Sequence, residues 1–214
     1  MLILGNGRWE GDPARLAAQA DCIIAVDGGF AKASKHGIRP DLVIGDLDSL
    51  SRTGREELER GRIEVIAHPA EKDQTDLELA LNWAIARRPS RIILFGVLGA
   101  RLDQTLVNLF LLEKPLRAGI AAEIVTGRER VQLIRDRLEL EAELGDLVSL
   151  LPLTEVVHGV RTWGLRYPLE GEDLHRASSR GISNEVVALP AGVELQKGFL
   201  LVIQRSGIAR RRKR

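Results

Sequence analysis

Aromatic residues make up only 4% of the 214-residue chain, and no Phe or Tyr pattern builds a platform on which bases could stack. A single cysteine, Cys22, excludes an internal disulfide, and its place in the run Cys22-Ile23-Ile24-Ala25-Val26 reads as an inert buried thiol. Apolar runs of this kind stop far short of the ~20 residues that span a bilayer, so no transmembrane helix is expected. Met1-Leu2-Ile3-Leu4-Gly5-Asn6-Gly7 lacks the basic start, apolar centre and small-residue cleavage site of an export signal, and a cytoplasmic location is the expectation. Neither charge sign dominates, with 31 Lys+Arg against 30 Asp+Glu and a net charge of +1. That balance hides an asymmetry, because Arg210 to Arg214 hold five of the positive charges and leave the rest of the chain net acidic. A basic run at a chain end reads as a solvated tail, and an acidic body argues against nucleic acid as the main substrate.

Familiar chemical motifs are missing too. There is no GxxxxGK[ST] phosphate loop, and Gly5-Asn6-Gly7-Arg8-Trp9-Glu10 lacks the third small residue of a dinucleotide fingerprint. His36, His68, His158 and His175 show no HExxH or other close ligand pairing, which argues against zinc, and no GxSxG elbow offers a nucleophile. What remains is 44% hydrophobic and 29% charged, an ordinary globular composition that excludes disorder, collagen and coiled coil.

Residues 1–126 alternate short β-like runs with helical segments, the βαβ signature of a mostly parallel sheet flanked by helices. Strands are expected at Leu2 to Leu4, Cys22 to Val26, Leu42 to Ile44, Ile63 to Ala67, Arg91 to Phe95 and Ala122 to Val125. One helix opens at Asp12-Pro13, an N-cap followed by proline at the first helical position. Another opens at Thr75, with Glu78 three residues on completing a capping box. A third is expected from Asp103 as N-cap, through Leu106, Leu109 and Phe110, until Pro115 stops it. Residues 127–207 change to short alternating stretches separated by Gly and Pro, including Leu147 to Leu151, Val156 to Val160 and Phe199 to Ile203, which predicts a smaller all-β sandwich domain. Residues 208–214 form the basic tail.

Ligands of open parallel sheets bind beyond the carboxyl ends of the strands. Acidic loops recur there: Asp27-Gly28-Gly29, Gly45-Asp46-Leu47-Asp48-Ser49, Lys72-Asp73-Gln74-Thr75-Asp76, and Gly96 to Asp103. Converging carboxylates repel by roughly 4 kcal/mol per close pair at an effective dielectric near 20, a cost that a divalent cation removes. Carboxylates without nearby Cys or His suit a hard ion, and Mg²⁺ completes its shell with water and substrate phosphates. The alternative is that each Asp is a separate turn or cap residue. The helix start at Thr75 would attract phosphate, and Lys72 and Arg101 read either as charge clamps on it or as plain surface cations.

Taken together, Asp27-Gly28-Gly29, Pro40 to Ser49, Lys72 to Leu81, Gly96 to Thr105 with Asn108, Gly164 to Leu169 and Ile182-Ser183-Asn184-Glu185 resemble the thiamine pyrophosphokinase family, in order and across nearly the whole chain. The resemblance implies an α/β domain followed by a β-sandwich, and a homodimer with active sites at the subunit interface. It implies transfer of a pyrophosphoryl group from ATP to thiamine, giving thiamine diphosphate and AMP. Asp46, Asp48 and Asp76 would hold Mg²⁺, with Asp27 and Asp73 supporting metal or phosphates. Gly28, Lys72, Thr75 and Arg101 would meet the nucleotide. Asp103, Gln104, Ser183 and Asn184 would meet thiamine, whose ring Trp163 either stacks on or leaves for core packing. Asp73 or Asp103 could accept the hydroxyl proton, although a loose transition state needs little such help. Ala100 and Gln104 stand where the family often has glycine and histidine. Two other readings are a pyrophosphokinase for a different heteroaromatic alcohol, such as a hydroxymethylpterin, and a non-catalytic nucleotide- or RNA-binding protein.

Overall fold

The computed structural model describes residues 1–46, 52–69, 71–99 and 101–206, with the Arg52 side chain excepted. Two units follow one another along the chain, Met1–Gly127 and a second that starts at Arg128.

The first unit runs β1 (Leu2–Leu4), α1 (Pro13–Ala17), β2 (Ile23–Val26), α2 (Gly29–Lys35), β3 (Leu42–Gly45), α3 (Arg52–Gly61), β4 (Glu64–Ala67), α4 (Asp76–Ala86), β5 (Arg91–Phe95), α5 (Leu102–Phe110), α6 (Glu113–Arg117) and β6 (Ala121–Val125). Its strands lie in the order β6-β5-β1-β2-β3-β4, every neighbour parallel. β1 is central, and Leu2, Ile3 and Leu4 are fully buried, which is why it reads as a continuous apolar run rather than an alternating one. The order reverses between β1 and β5, so the topological switch point lies there, flanked by the loops that leave these two strands.

The helices follow local chemistry. Asp12 caps α1 by accepting the Arg15 N–H at 3.1 Å, with Pro13 in the first turn. Thr75 caps α4, accepting the Glu78 N–H at 3.2 Å. Only that half of the expected capping box forms, because the Glu78 carboxylate pairs instead with Lys114 at 2.9 Å and Gln74 at 3.0 Å. Two helix boundaries differ from expectation. Asp103 is not an N-cap: α5 starts at Leu102, and the Asp103 carboxylate is drawn to Arg101. Pro115 does not end a helix either, since α5 stops at Phe110 and Pro115 sits in the first turn of α6, where its missing N–H would have no intrahelical partner anyway.

The second unit comprises β7 (Glu129–Ile134), β8 (Arg137–Glu139), β9 (Leu147–Pro152), β10 (Val156–Trp163), β11 (Glu170–His175), β12 (Asn184–Glu185), β13 (Gly192–Glu194) and β14 (Leu200–Arg205). They pair antiparallel as β12-β9-β14-β7 and as β11-β10-β13-β8. Val148, Leu150, Leu200 and Val202 from the first group meet Val157, Val160, Leu174 and Val193 from the second in one core, the inward half of an alternating pattern. β11, β12 and β13 were not expected from the sequence. No helix among the described residues is long and apolar enough to cross a membrane.

Candidate active site

The carboxyl edge of the parallel sheet gathers Asp27 after β2, Asp46 after β3, and Lys72 to Asp76 before α4. Asp27 adopts a left-handed backbone, φ 48°, which Asp tolerates better than most residues. Its backbone N–H donates to Ile44 O at 3.1 Å, and its carbonyl accepts from Phe30 at 3.0 Å, so the turn is held on both sides. The side chain lies over Gly45, where an added Cβ would come within 2.1 Å of Asp27 Oδ1, so this approach requires glycine.

Asp27 is electrostatically uncomfortable. Burial raises its pKa to about 7, assisted by hydrogen bonding to Asp76 and by the charges of Asp76 and Asp46, while Lys72 pulls the other way. Its Oδ1 is buried without a hydrogen-bond partner among the described residues. Lys72 is committed to Asp76, Nζ to Oδ1 at 2.5 Å, with both side chains mostly shielded. Asp76 and Asp46 thus crowd Asp27, with Lys72 as the opposing cation.

No three His, Cys, Asp or Glu side chains among the described residues form a complete metal cage. Asp48, the other expected ligand, lies outside the described residues, as does Ala100. Asp73 is exposed and takes no part in the Asp27 group. Thr75 is committed to capping α4, and the Gly28 backbone opens α2.

On the β5 side, Arg101 and Asp103 form a solvent-exposed pair at 2.6 Å and 3.2 Å, which raises the guanidinium pKa and lowers the carboxyl one. Gln104, beside them, is exposed. The loop after β1 was set aside in the sequence as an incomplete fingerprint, yet it is a built element. Gly7 N donates to Gly96 O at 2.5 Å and Arg8 N to Leu98 O at 2.7 Å, zipping it to the loop after β5. A Cβ on Gly7 would meet Leu98 O at 2.3 Å. Lys32 of α2 closes the loop from the other side, donating to Asn6 O at 2.8 Å and Gly7 O at 2.5 Å. The signal for this element was the pair of glycines directly after a buried strand.

In the second unit, Ser183 is exposed with a left-handed backbone, φ 60°, and its N–H donates to Ser149 Oγ at 3.0 Å. Asn184 is buried and acts as a brace. Its Oδ1 accepts from Tyr167 N at 3.0 Å and Glu185 N at 2.9 Å, and its Nδ2 donates to Tyr167 O at 2.7 Å. One N–H remains for anything else. Trp163 packs on Gly192, where an added Cβ would sit 2.1 Å from its ring, and Arg137 covers the ring at 4.4 Å. The packing role expected as one of its two readings is therefore present.

A sequence profile described as "Thiamin pyrophosphokinase, catalytic domain" matches residues 13–124, and one described as "Thiamin pyrophosphokinase, vitamin B1 binding domain" matches residues 135–200. Thiamine pyrophosphokinase of Bacillus subtilis (strain 168) is 32% identical over 183 residues, covering 85% of this chain and 86% of the relative. The crystal structure of thiamine pyrophosphokinase from Bacillus subtilis is similar at TM-score 0.85 and 30% identity, covering 96% of this chain and 98% of that one. That of thiamin pyrophosphokinase from Geobacillus thermodenitrificans is similar at TM-score 0.83 and 30% identity, covering 97% and 98%. With matched profiles over both units and this likeness to relatives along most of their length, the chain belongs to the thiamin pyrophosphokinase family of transferases.

Proposed function

We propose that this protein transfers the β,γ-pyrophosphoryl group of ATP to the hydroxyl of thiamine, giving thiamine diphosphate and AMP in the cytoplasm. The thiamine oxygen bonds to the β-phosphorus, the bond from that phosphorus to the α-phosphate oxygen breaks, and the hydroxyl proton leaves to solvent. The single observation that carries the reading beyond family membership is Asp27, raised to about 7 among Asp76 and Asp46 with a buried unpartnered oxygen. Such a set is poorly balanced alone and suits a bound divalent cation.

Asp46 and Asp76, with Asp48, would hold Mg²⁺. When bound, the ion would neutralise charge on the phosphates. Asp27 lies against Asp76, and Lys72 pairs with the same carboxylate, so the two hold it in place. Arg101 reaches a triphosphate only if it exchanges Asp103 for phosphate, and Asp103 would then be released toward thiamine together with Gln104. Ser183 is an exposed candidate contact for the vitamin, and Asn184 positions the strand that carries it. No general base is assigned, since a loose phosphoryl transition state asks mainly for positioning and charge neutralisation.

A homodimer belongs to the same proposal. α5 has no buried residue and exposes Leu102, Leu106, Val107 and Phe110, an apolar stripe at helical spacing that a second copy would cover.

The test is to incubate the purified protein with ATP, Mg²⁺ and thiamine and to separate the products. AMP and thiamine diphosphate in equal amounts are expected. ADP with thiamine monophosphate would instead reveal a simple kinase, and turnover only with a hydroxymethylpterin would move the substrate class.

A further inference from the structure

Among the described residues, four loops at the carboxyl edge of the parallel sheet carry a lysine or arginine: Arg8 after β1, Lys72 before α4, Arg101 after β5 and Arg128 after β6, the last of which has a partner of its own. Lys72 is paired with Asp76 at 2.5 Å and Arg101 with Asp103 at 2.6 Å. Lys32, which reaches this edge from α2, donates to the carbonyls of Asn6 and Gly7. Arg8 differs from all of them. Its side chain is exposed and makes no hydrogen bond or ion pair among the described residues.

Its backbone, by contrast, is among the most constrained on this edge. The Arg8 N–H is bonded to Leu98 O at 2.7 Å, and the preceding Gly7 N–H to Gly96 O at 2.5 Å. The following Trp9 donates its indole N–H to Gly5 O at 2.8 Å and packs edge-on against Phe95, ring centroids 5.3 Å apart. The stem of Arg8 lies on Gly99, where an added Cβ would come within 2.9 Å of Arg8 N and 3.2 Å of its Cγ. A guanidinium with no partner among the described residues is thus mounted on an anchored loop at the switch point between β1 and β5, where open α/β sheets receive ligands. Long cationic side chains on a flexible loop would point to solvation alone; the anchoring of this one points to a ligand.

We propose that Arg8 binds the triphosphate of ATP, supplying the cation that Lys72 and Arg101 do not have to spare. Guanidinium matches two phosphate oxygens with parallel hydrogen bonds, which lysine cannot reproduce. The role rests on the pyrophosphokinase reading above, and it extends it to a residue that lies outside every motif carrying the family resemblance.

The test is Mg²⁺–ATP binding by titration calorimetry without thiamine, alongside steady-state kinetics, for the wild type, Arg8→Ala, Arg8→Lys and the control Arg15→Ala on α1. Arg8→Ala should weaken ATP binding and raise the KM for ATP roughly 10- to 100-fold, as loss of a charge-assisted contact does. Its KM for thiamine and its thermal midpoint should stay at wild-type values, Arg8→Lys should recover part of the loss, and Arg15→Ala should change nothing. ATP affinity within about twofold of wild type for Arg8→Ala would overturn the assignment while leaving the pyrophosphokinase reading intact. A parallel rise in both KM values would also overturn it, marking a structural role. A wild type that binds no ATP would overturn both.

Discussion

The acidic edge of the first unit and the Asn184 brace of the second are built from similar polar residues but end in opposite states. Around Asn184 nearly every polar valence has a partner: Tyr167 is held through both its N–H and its C=O, and Glu185 through its N–H. Around Asp27 the protein leaves the balance open, with one buried oxygen unpartnered and a carboxyl group pushed up to about 7 by burial and by Asp76 and Asp46. Satisfied polar groups in a fold make architecture; unsatisfied ones in the same fold mark where a ligand completes the structure. Motif matching treats Asp46 and Asn184 alike, whereas geometry separates them.

The sharpest way to break this contrast is to neutralise one carboxylate on each side of the cluster. Asp46→Asn and Asp76→Asn should each lower turnover by roughly 10²- to 10⁴-fold, the scale of a lost metal contact, while metal-free Asp46→Asn unfolds at or above the wild-type temperature because a repulsion on Asp27 has been removed, and Asp76→Asn, which also gives up the Lys72 ion pair, stays folded. Product chromatography and thermal melting check the two halves. Loss of turnover accompanied by unfolding would mean that the carboxylates are structural, like Asn184.

Asn184→Ala should behave in the reverse manner. Truncation strands the half-buried Tyr167 and Glu185 backbone groups, and the expected cost is about 1–3 kcal/mol of stability by denaturant unfolding. Activity should fall with the folded fraction, and the KM of the remaining folded enzyme for ATP should not move. A fully stable variant with a raised KM for thiamine would return Asn184 to direct substrate contact.

The sequence makes the difference between these regions only partly visible. The parallel strands are legible because their apolar runs are continuous, and the starts of α1 and α4 because Asp12 and Thr75 cap with their own side chains. The start of α5 is not, since Asp103 has the chemistry of a cap but a stronger partner in Arg101 two residues earlier. α2 is hidden by the glycines that open it. β12 and β13 are two and three residues long, too short to establish an alternation. Of the site, the acidic loops are legible as residues following strands. The pairing of Asp27 with Asp76, and the bond from Asn184 to Tyr167, depend on chain segments that only tertiary structure brings together. The loop around Arg8 is legible only as glycines after a strand; what those glycines permit, close approach to the β5 loop, is a property of the sheet order.

The smallest expected effect tests the imbalance itself, without loss of any residue. The Asp27 pKa is raised from 3.8 to about 7, so between these values the folded chain holds a proton that the unfolded chain has released. Stability from this group is therefore present in full below about pH 4 and is lost as the pH rises through about 7. Thermal midpoints of the metal-free protein should decline across that window, and Asp27→Asn should remove this part of the decline. Millimolar Mg²⁺ should restore the midpoint of the wild type above pH 7, because a cation beside Asp46 and Asp76 favours the charged form of their neighbour, and it should do so less for Asp76→Asn. A wild-type profile that is flat with pH and indifferent to Mg²⁺ would mean that solvent already balances the cluster, leaving the acidic edge as well satisfied as the Asn184 brace.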